Sequence, residues 1–225
     1  ELATAMDHDE VLRRSLFAKV RAFMFAGAGL SQAVWNHLDR LGERTLGERI
    51  PIFTGLGMTE TSPSCTFALG TDVRAGDIGL PVPGVEVKVV PVEGKLEIRF
   101  RGPNVMTEYW RAIEETAAAF DSEGFYRTGD AVRFRDAGGA PGASDPSEPP
   151  DPMYPPDPTK GLVFDGRIAE DFKLATGTFV SVGPLRTQAI LSGHPLVQDV
   201  VVAGINRDEV GLLVSGSDVS VHASL

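Results

Sequence analysis

Residues 50–62, IPIFTGLGMTETS, hold the run on which the fold turns. Ile50-Pro51-Ile52-Phe53 is short and apolar, which predicts a core strand. Thr54-Gly55-Leu56-Gly57-Met58-Thr59-Glu60-Thr61-Ser62 follows at once and mixes glycines, hydroxyls and one carboxylate. Upstream, Val20–Ala26 (VRAFMFA) predicts a buried strand, and Gly27-Ala28-Gly29 breaks it. Ser31 then offers a cap to a helix with Val34, Leu38 and Leu41 on one face. Residues 8–19 place Val11, Leu12, Leu16 and Phe17 at helical spacing, an earlier amphipathic helix. Strand, loop, helix, strand is the order of an α/β protein, with its informative loops at the strand C-terminal ends where open sheets take ligands.

Downstream the period changes to two. Val85, Val87 and Val89 alternate with Glu86 and Lys88, and Leu96, Ile98 and Phe100 alternate with Lys95, Glu97, Arg99 and Arg101. A turn at Pro91–Gly94 between them makes an antiparallel hairpin with one wet face. Ile113–Phe120 reads as a short helix and Ala131–Arg135 as a strand. Residues 137–160 contain eight of the sixteen prolines and little apolar bulk, the composition of a solvated linker or insertion. Beyond it, a strand from Leu162, a strand near Thr178–Val182, a helix over Pro184–Leu191 and strands at Val200–Ile205 and Val210–Val214 predict a small α+β unit.

The 225 residues are 42% hydrophobic and 23% charged, an ordinary globular composition. A net charge of −10 argues against nucleic acid or an anionic membrane as the main partner. The single cysteine, Cys65, excludes an intramolecular disulfide and a thiolate metal cluster, and fits a reduced, cytoplasmic setting with Cys65 as a small buried hydrophobe. The four histidines lie too far apart in sequence for a paired metal-ligand spacing. No apolar run approaches the roughly 20 residues of a membrane span.

Four loops carry residues suited to chemistry. Gly27-Ala28-Gly29 lets a flat ligand approach the backbone, but Gln32 stands where a dinucleotide-binding turn needs its third glycine. In residues 54–62 the hydroxyls and amides suit phosphate oxygens and Glu60 suits Mg²⁺; a polar loop capping a strand is the alternative. Asp130, in Tyr126-Arg127-Thr128-Gly129-Asp130 at the mouth of a strand, suits two vicinal sugar hydroxyls or a self-stabilised turn. Asp165–Lys173 has five charged residues in nine, a solvated hairpin or a hinge with a cationic phosphate contact at Arg167.

Taken in order, these segments resemble the ANL superfamily of adenylate-forming enzymes. Gly55-Leu56-Gly57-Met58-Thr59-Glu60-Thr61 is similar to its Gly-Tyr-Gly-Met-Thr-Glu core, and Gly94-Lys95-Leu96-Glu97-Ile98 through Tyr109-Trp110 to its Gly-Glu-Leu…Gly-Tyr-Trp hairpin. Tyr126–Asp130 matches its Tyr-Arg-Thr-Gly-Asp motif, and Gly166–Lys173 resembles its hinge motif. Phe164–Gly183 is most similar to feruloyl-CoA synthases and related aryl-CoA ligases. The resemblance implies an α/β fold: 1–136 as part of the large domain (sheet plus distorted barrel or hairpin region), 137–160 as insertion or linker, and 161–225 as a partial small α+β domain. On that pattern the chain lacks the phosphate loop expected before residue 50 and the Pro-x-x-x-x-Gly-Lys expected after residue 200. It therefore reads as a fragment, incompetent alone, whose partners include the missing parts of its parent.

The roles so implied are specific. Gly27, Ala28 and Gly29 would line adenine, within a nucleotide site that also takes in Thr54, Gly55, Leu56, Gly57 and Met58. Thr59 would contact the α-phosphate, Glu60 would hold Mg²⁺, Asp130 the ribose hydroxyls, and Arg167 the ribose or phosphate. Thr59, Glu60 and Arg167 would be the catalytic set. The family's adenine-stacking tyrosine is Leu56 here, and its hinge acid falls at Ala169, beside Glu170. The implied parent activity adenylates an aromatic carboxylate with ATP and transfers it to CoA. The alternatives are a non-catalytic nucleotide- or partner-binding remnant, and an adenylation domain of a carboxylic acid reductase or peptide synthetase.

Overall fold

The computed structural model describes residues 2–27, 29–70, 72–135, 157–193 and 196–216. Ala28, most of the proline-rich stretch, His194 and His222 lie outside the described residues. Two compact units are present: Glu1–Lys88 with Arg99–Arg127 and Arg133–Phe164, and Val89–Ile98 with Thr128–Val132 and Asp165–Leu225.

The first unit opens with helices α1 (Leu2–His8) and α2 (Glu10–Phe17). Asp9, whose carboxylate accepts from the Leu12 N–H at 2.9 Å, separates them, so the helix expected from residue 8 starts after a cap. Strand β1 is only Phe23–Phe25, shorter and wetter than the buried strand expected, with Met24 64% exposed. Helix α3 (Gln32–Leu46) starts at Ser31 as expected, its hydroxyl accepting from the Val34 N–H. Leu41 and Leu38 face the core, but Trp35 is buried there and Val34 is not. Strand β2 (Ile52–Thr54) pairs parallel with β1, Phe23 opposite Ile52 and Phe25 opposite Thr54. One core cluster gathers Met6, Phe17, Leu41 and Ile50, and the other Trp35, Ile52, Ala68 and Val73. Arg13 is buried beneath the first, its guanidinium bonded to the Met6 carbonyl and the Thr45 hydroxyl.

Strands β3 (Thr66–Phe67), β4 (Asp77–Pro81), β5 (Glu86–Val92), β6 (Lys95–Arg101), β7 (Tyr126–Phe134) and β8 (Leu162–Arg167) form a sheet of order β3-β4-β8-β7-β6-β5. The hairpin turn is tighter than expected: Glu93 and Gly94 alone carry it, at φ +50° and +85°, the two left-handed residues a primed turn needs. Pro91 stays within β5, where an edge strand tolerates its missing N–H. The expected wet face is not all wet, since Glu97 and Arg99 are 6% and 7% exposed. Arg99 and Lys88 both reach Asp121, at 3.1 and 2.6 Å. Burial works to raise the Asp121 pKa, but Lys88, the Phe125 N–H and Arg99 hold it well below the usual carboxylate range. Helix α4 (Ile113–Ala119) lies where the pattern put it.

In the second unit, β9 (Phe172–Lys173) and β10 (Phe179–Val180) pair antiparallel, helix α5 (Val182–Gly193) follows, and β11 (Val197–Ala203) pairs antiparallel with β12 (Gly211–Gly216). Val200 on β11 is buried, and Arg186 of α5 meets Asp199 at 2.6 Å. No helix among the described residues is long and apolar enough to cross a membrane.

Backbone crowding after β2 yields a test. A side-chain carbon at Gly57 would lie 1.4 Å from the Pro63 carbonyl oxygen, whereas one at Gly124 would meet nothing within 4 Å. Gly57→Ala should therefore cost about 3 kcal/mol, the upper range for overpacking. Gly124→Ala, strained only by its φ of +78°, should cost about 1 kcal/mol. Urea unfolding midpoints of the two variants measure the difference.

Candidate nucleotide site

Parallel pairing of β1 and β2 makes both chains leave the same end of the pair. The turn at Gly27 and Gly29 and the turn beginning at Gly55 thus start side by side at the strand C-terminal ends. Gly27 has φ +81°, and among the described residues no atom lies within 4 Å of a side-chain carbon built on Gly27 or Gly29, which leaves these two positions open to a flat ligand.

The 54–61 loop is zipped onto the residues after it. Buried Thr54 accepts the Ala68 N–H through its carbonyl, and the Leu56 carbonyl accepts from Cys65 and Thr66. Gly55 and Gly57 are glycine because the backbones of Thr66 and Pro63 leave no room for a side chain, a packing reason independent of any phosphate. Thr61 is fully buried, its hydroxyl accepting from the Met58 N–H and donating to the Met58 carbonyl, so it is unavailable to a ligand. Thr59 is exposed at the start of a short 3₁₀ turn, Thr59–Thr61, that also carries Glu60. Cys65 is fully buried, and burial pushes its thiol pKa up.

Glu60 is half-buried and held twice: Met106 N–H donates to its carbonyl at 2.8 Å, and the Tyr109 hydroxyl donates to its Oε1 at 2.9 Å. Asn104 steadies the turn by donating to the Thr61 and Ser64 carbonyls. Sequence reasoning missed Tyr109 and Asn104 as supports, although both lie in the segment leading to Tyr109-Trp110. The donors fit Mg²⁺, a hard ion commonly held by one or two protein carboxylates with phosphates and water supplying the rest. Among the described residues no group of three His, Cys, Asp or Glu is placed to hold a metal unaided.

Asp130 belongs to the second unit. The Tyr126–Asp130 motif, expected at the mouth of a strand, lies inside β7, which begins five residues earlier than its apolar pattern suggested. Polar residues run inside the strand because the fold satisfies them: Thr128 donates to the Ile98 carbonyl at 2.6 Å, and Gly129 N–H donates to Glu97 Oε1. Gly129 has φ +70°, and the Asp130 N–H turns back to the Thr128 hydroxyl at 3.0 Å. This kink leaves Asp130 3% exposed. Its Oδ1 has no hydrogen-bond partner among the described residues, and the Arg167 Nε stands 3.4 Å away, close enough for an ion pair but poorly aimed for a bond. Burial raises the Asp130 pKa to about 6; Arg167 pulls it down, and Glu170 and Glu97 push it up. Arg167 itself is largely exposed at the end of β8.

Residues 2–110 match the family model described as AMP-binding enzyme. A long-chain-fatty-acid–CoA ligase, FadD15 of Mycobacterium bovis, is 30% identical over 91% of this chain and 28% of its own length. A malonyl-CoA ligase solved with methylmalonyl-CoA and AMP superposes with a TM-score of 0.53 at 27% identity, over 99% of this chain and 44% of that one. The A domain of a carboxylic acid reductase from Segniliparus rugosus, solved with AMP and a co-purified carboxylic acid, gives 0.65 at 20% identity, over 96% and 32%. The chain thus spans less than half the length of these proteins, and its mixed α/β fold is that of the ANL adenylate-forming enzymes.

The raised pKa of Asp130 fixes the sign of a pH effect. The folded protein keeps this proton up to about pH 6, while the unfolded chain releases it near ~3.9. The stabilisation is complete below about pH 4 and is lost as pH rises through about 6. Asp130→Asn should flatten that decline and, at pH 7.5, stabilise the fold by about 2 kcal/mol. Chemical denaturation from pH 4 to 8 compares the two curves.

Proposed function

We propose that this chain supplies nucleotide-binding parts of an ATP-dependent acid–CoA ligase acting on an aromatic, feruloyl- or cinnamoyl-type carboxylate. The observation that carries the reading is Asp130: a buried carboxylate whose Oδ1 finds no hydrogen-bond donor among the described residues while burial penalises its charge. A strained charge of that kind is characteristic of a site awaiting donors, and two vicinal ribose hydroxyls are such donors. The AMP-binding match over residues 2–110 and the likeness to acid–CoA ligases support the reaction class. The aromatic acid rests on the resemblance of the run Phe164–Gly183 to feruloyl-CoA synthases alone, whereas FadD15 and the solved malonyl-CoA ligase are named for long-chain fatty acids and for malonyl-CoA.

In this reading a carboxylate oxygen attacks the α-phosphorus of ATP, the bond to pyrophosphate breaks, and the CoA thiol then displaces AMP from the acyl-adenylate. The open turn at Gly27 and Gly29 would lie against adenine, beside the 54–58 loop. Thr59 would donate its hydroxyl to the α-phosphate, and Glu60, oriented by Tyr109, would hold Mg²⁺. The ion, when bound, supplies positive charge at the crowded phosphates. Asp130 would accept the ribose hydroxyls, and Arg167 would place its guanidinium against ribose or phosphate.

Pyrophosphate exchange into ATP by the enzyme that carries this segment, run with ferulate, cinnamate, benzoate, malonate and palmitate, tests the proposal. Aromatic acids should exceed malonate and palmitate by about tenfold. Asp130→Asn should raise the KM for ATP roughly 10–100-fold, the loss expected for hydrogen bonds to a charged acceptor. A preference for malonate or palmitate overturns the aromatic reading; nucleotide binding without exchange for any acid favours a non-catalytic remnant.

A further inference from the structure

The geometry points to Lys95 as a positioning residue that holds Arg167 against Asp130. Lys95 stands first in β6, just after the Glu93–Gly94 turn, at a position where the ANL hairpin pattern carries an acid. Its side chain is 7% exposed. It donates to the Asp165 carbonyl at 2.7 Å, pairs with the Asp171 carboxylate at 2.6 Å and lies 3.6 Å from Asp165 Oδ2. Asp165 and Asp171 bracket Arg167, so one cation closes the chain around it.

Two further contacts complete the clamp. Asp171 uses its other oxygen, Oδ1, to accept the Val182 N–H at 2.8 Å at the first residue of α5. Gly166, at φ +91°, lies so close to Gly183 that a side-chain carbon on Gly183 would come within 2.8 Å of the Gly166 Cα. The backbone is therefore fixed at 165, 166 and 171. Arg167, 64% exposed at its side chain, would otherwise be free to swing into solvent. A buried ammonium with several oxygen partners supplies directional anchoring that an apolar contact would not. The charged groups acting on Asp130 are Arg167, Glu170 and Glu97; Lys95 acts on it only through the first of these.

This inference rests on the reading of Asp130 as a nucleotide ligand only for its effect on binding; the clamp has its own readout. Lys95→Met alone strands a buried carboxylate, so the informative variant is Lys95→Met/Asp171→Asn, which removes both charges together. The Asp130 carboxyl titration is followed by carbon NMR, assigned by Asp130→Asn, with AMP affinity measured alongside. In the double variant the midpoint should rise from about 6 by roughly one unit as Arg167 drifts away, and AMP should bind about tenfold more weakly. Arg167→Met should raise the midpoint similarly, and adding the double change to it should move it no further. Asp171→Asn alone, which keeps the bond from Lys95 to the Asp165 carbonyl, should leave it in place. An unchanged midpoint in the double variant, or an equal further rise without Arg167, overturns the role of Lys95. A shifted midpoint with AMP binding indifferent to Asp130→Asn would keep the clamp and overturn the nucleotide reading.

Discussion

The register of Phe23–Phe25 against Ile52–Thr54 is parallel, and a parallel pair cannot be closed by a tight turn. The chain must leave the end of the first strand and return to the beginning of the second. Helix α3 makes that return, and its inward face brings Trp35, Leu38 and Leu41 onto the strands and onto α1 and α2. The hydrophobic contacts of the first unit follow from this crossover, as does the shared direction of the glycine turns. A three-residue pair is weak by itself, so the two clusters on either side must hold it.

Where the sequence was legible, the determinant was local. Ser31 sits one residue before its helix and bonds three residues on; the alternation of residues 85–101 needs only neighbours to be read. Where reading failed, the partner lay far along the chain. Glu97 and Arg99 have the pattern of a wet face, yet are buried because Gly129 and Asp121 reach them from distant segments. The same absence of long-range information hid the true start of β7, since Thr128 and Gly129 look like turn residues until the Ile98 carbonyl and Glu97 satisfy them. In the candidate site, Glu60 and Asp130 stood out by chemistry and resemblance, while Tyr109, which orients Glu60, did not.

The two carboxylates differ in what surrounds them. Glu60 is half-buried with a hydroxyl already donated to it, so its carboxylate is held in place. Asp130 is buried with an oxygen that finds no hydrogen-bond partner among the described residues and an ill-aimed arginine. Fold likeness alone would not separate a working site from a relic, since many functions share one fold. The retained charge on Asp130 bears on that question more directly: a site freed from ligand duty gains stability by replacing such a group with a neutral one.

Gly166 approaches Gly183 so closely that Gly183 has no room for a side chain. Such a contact has consequences for how the sequence can drift. Gly183 cannot be exchanged because a side-chain carbon there would meet the Gly166 backbone, while Gly166 is held by its φ of +91°, which side chains rarely adopt. The stretch between them, the short β9–β10 pair with its exposed Thr176 and Gly177, is bound by no such rule. Among homologous chains the two glycines should stand as fixed posts, with length and composition varying in the β9–β10 pair between them.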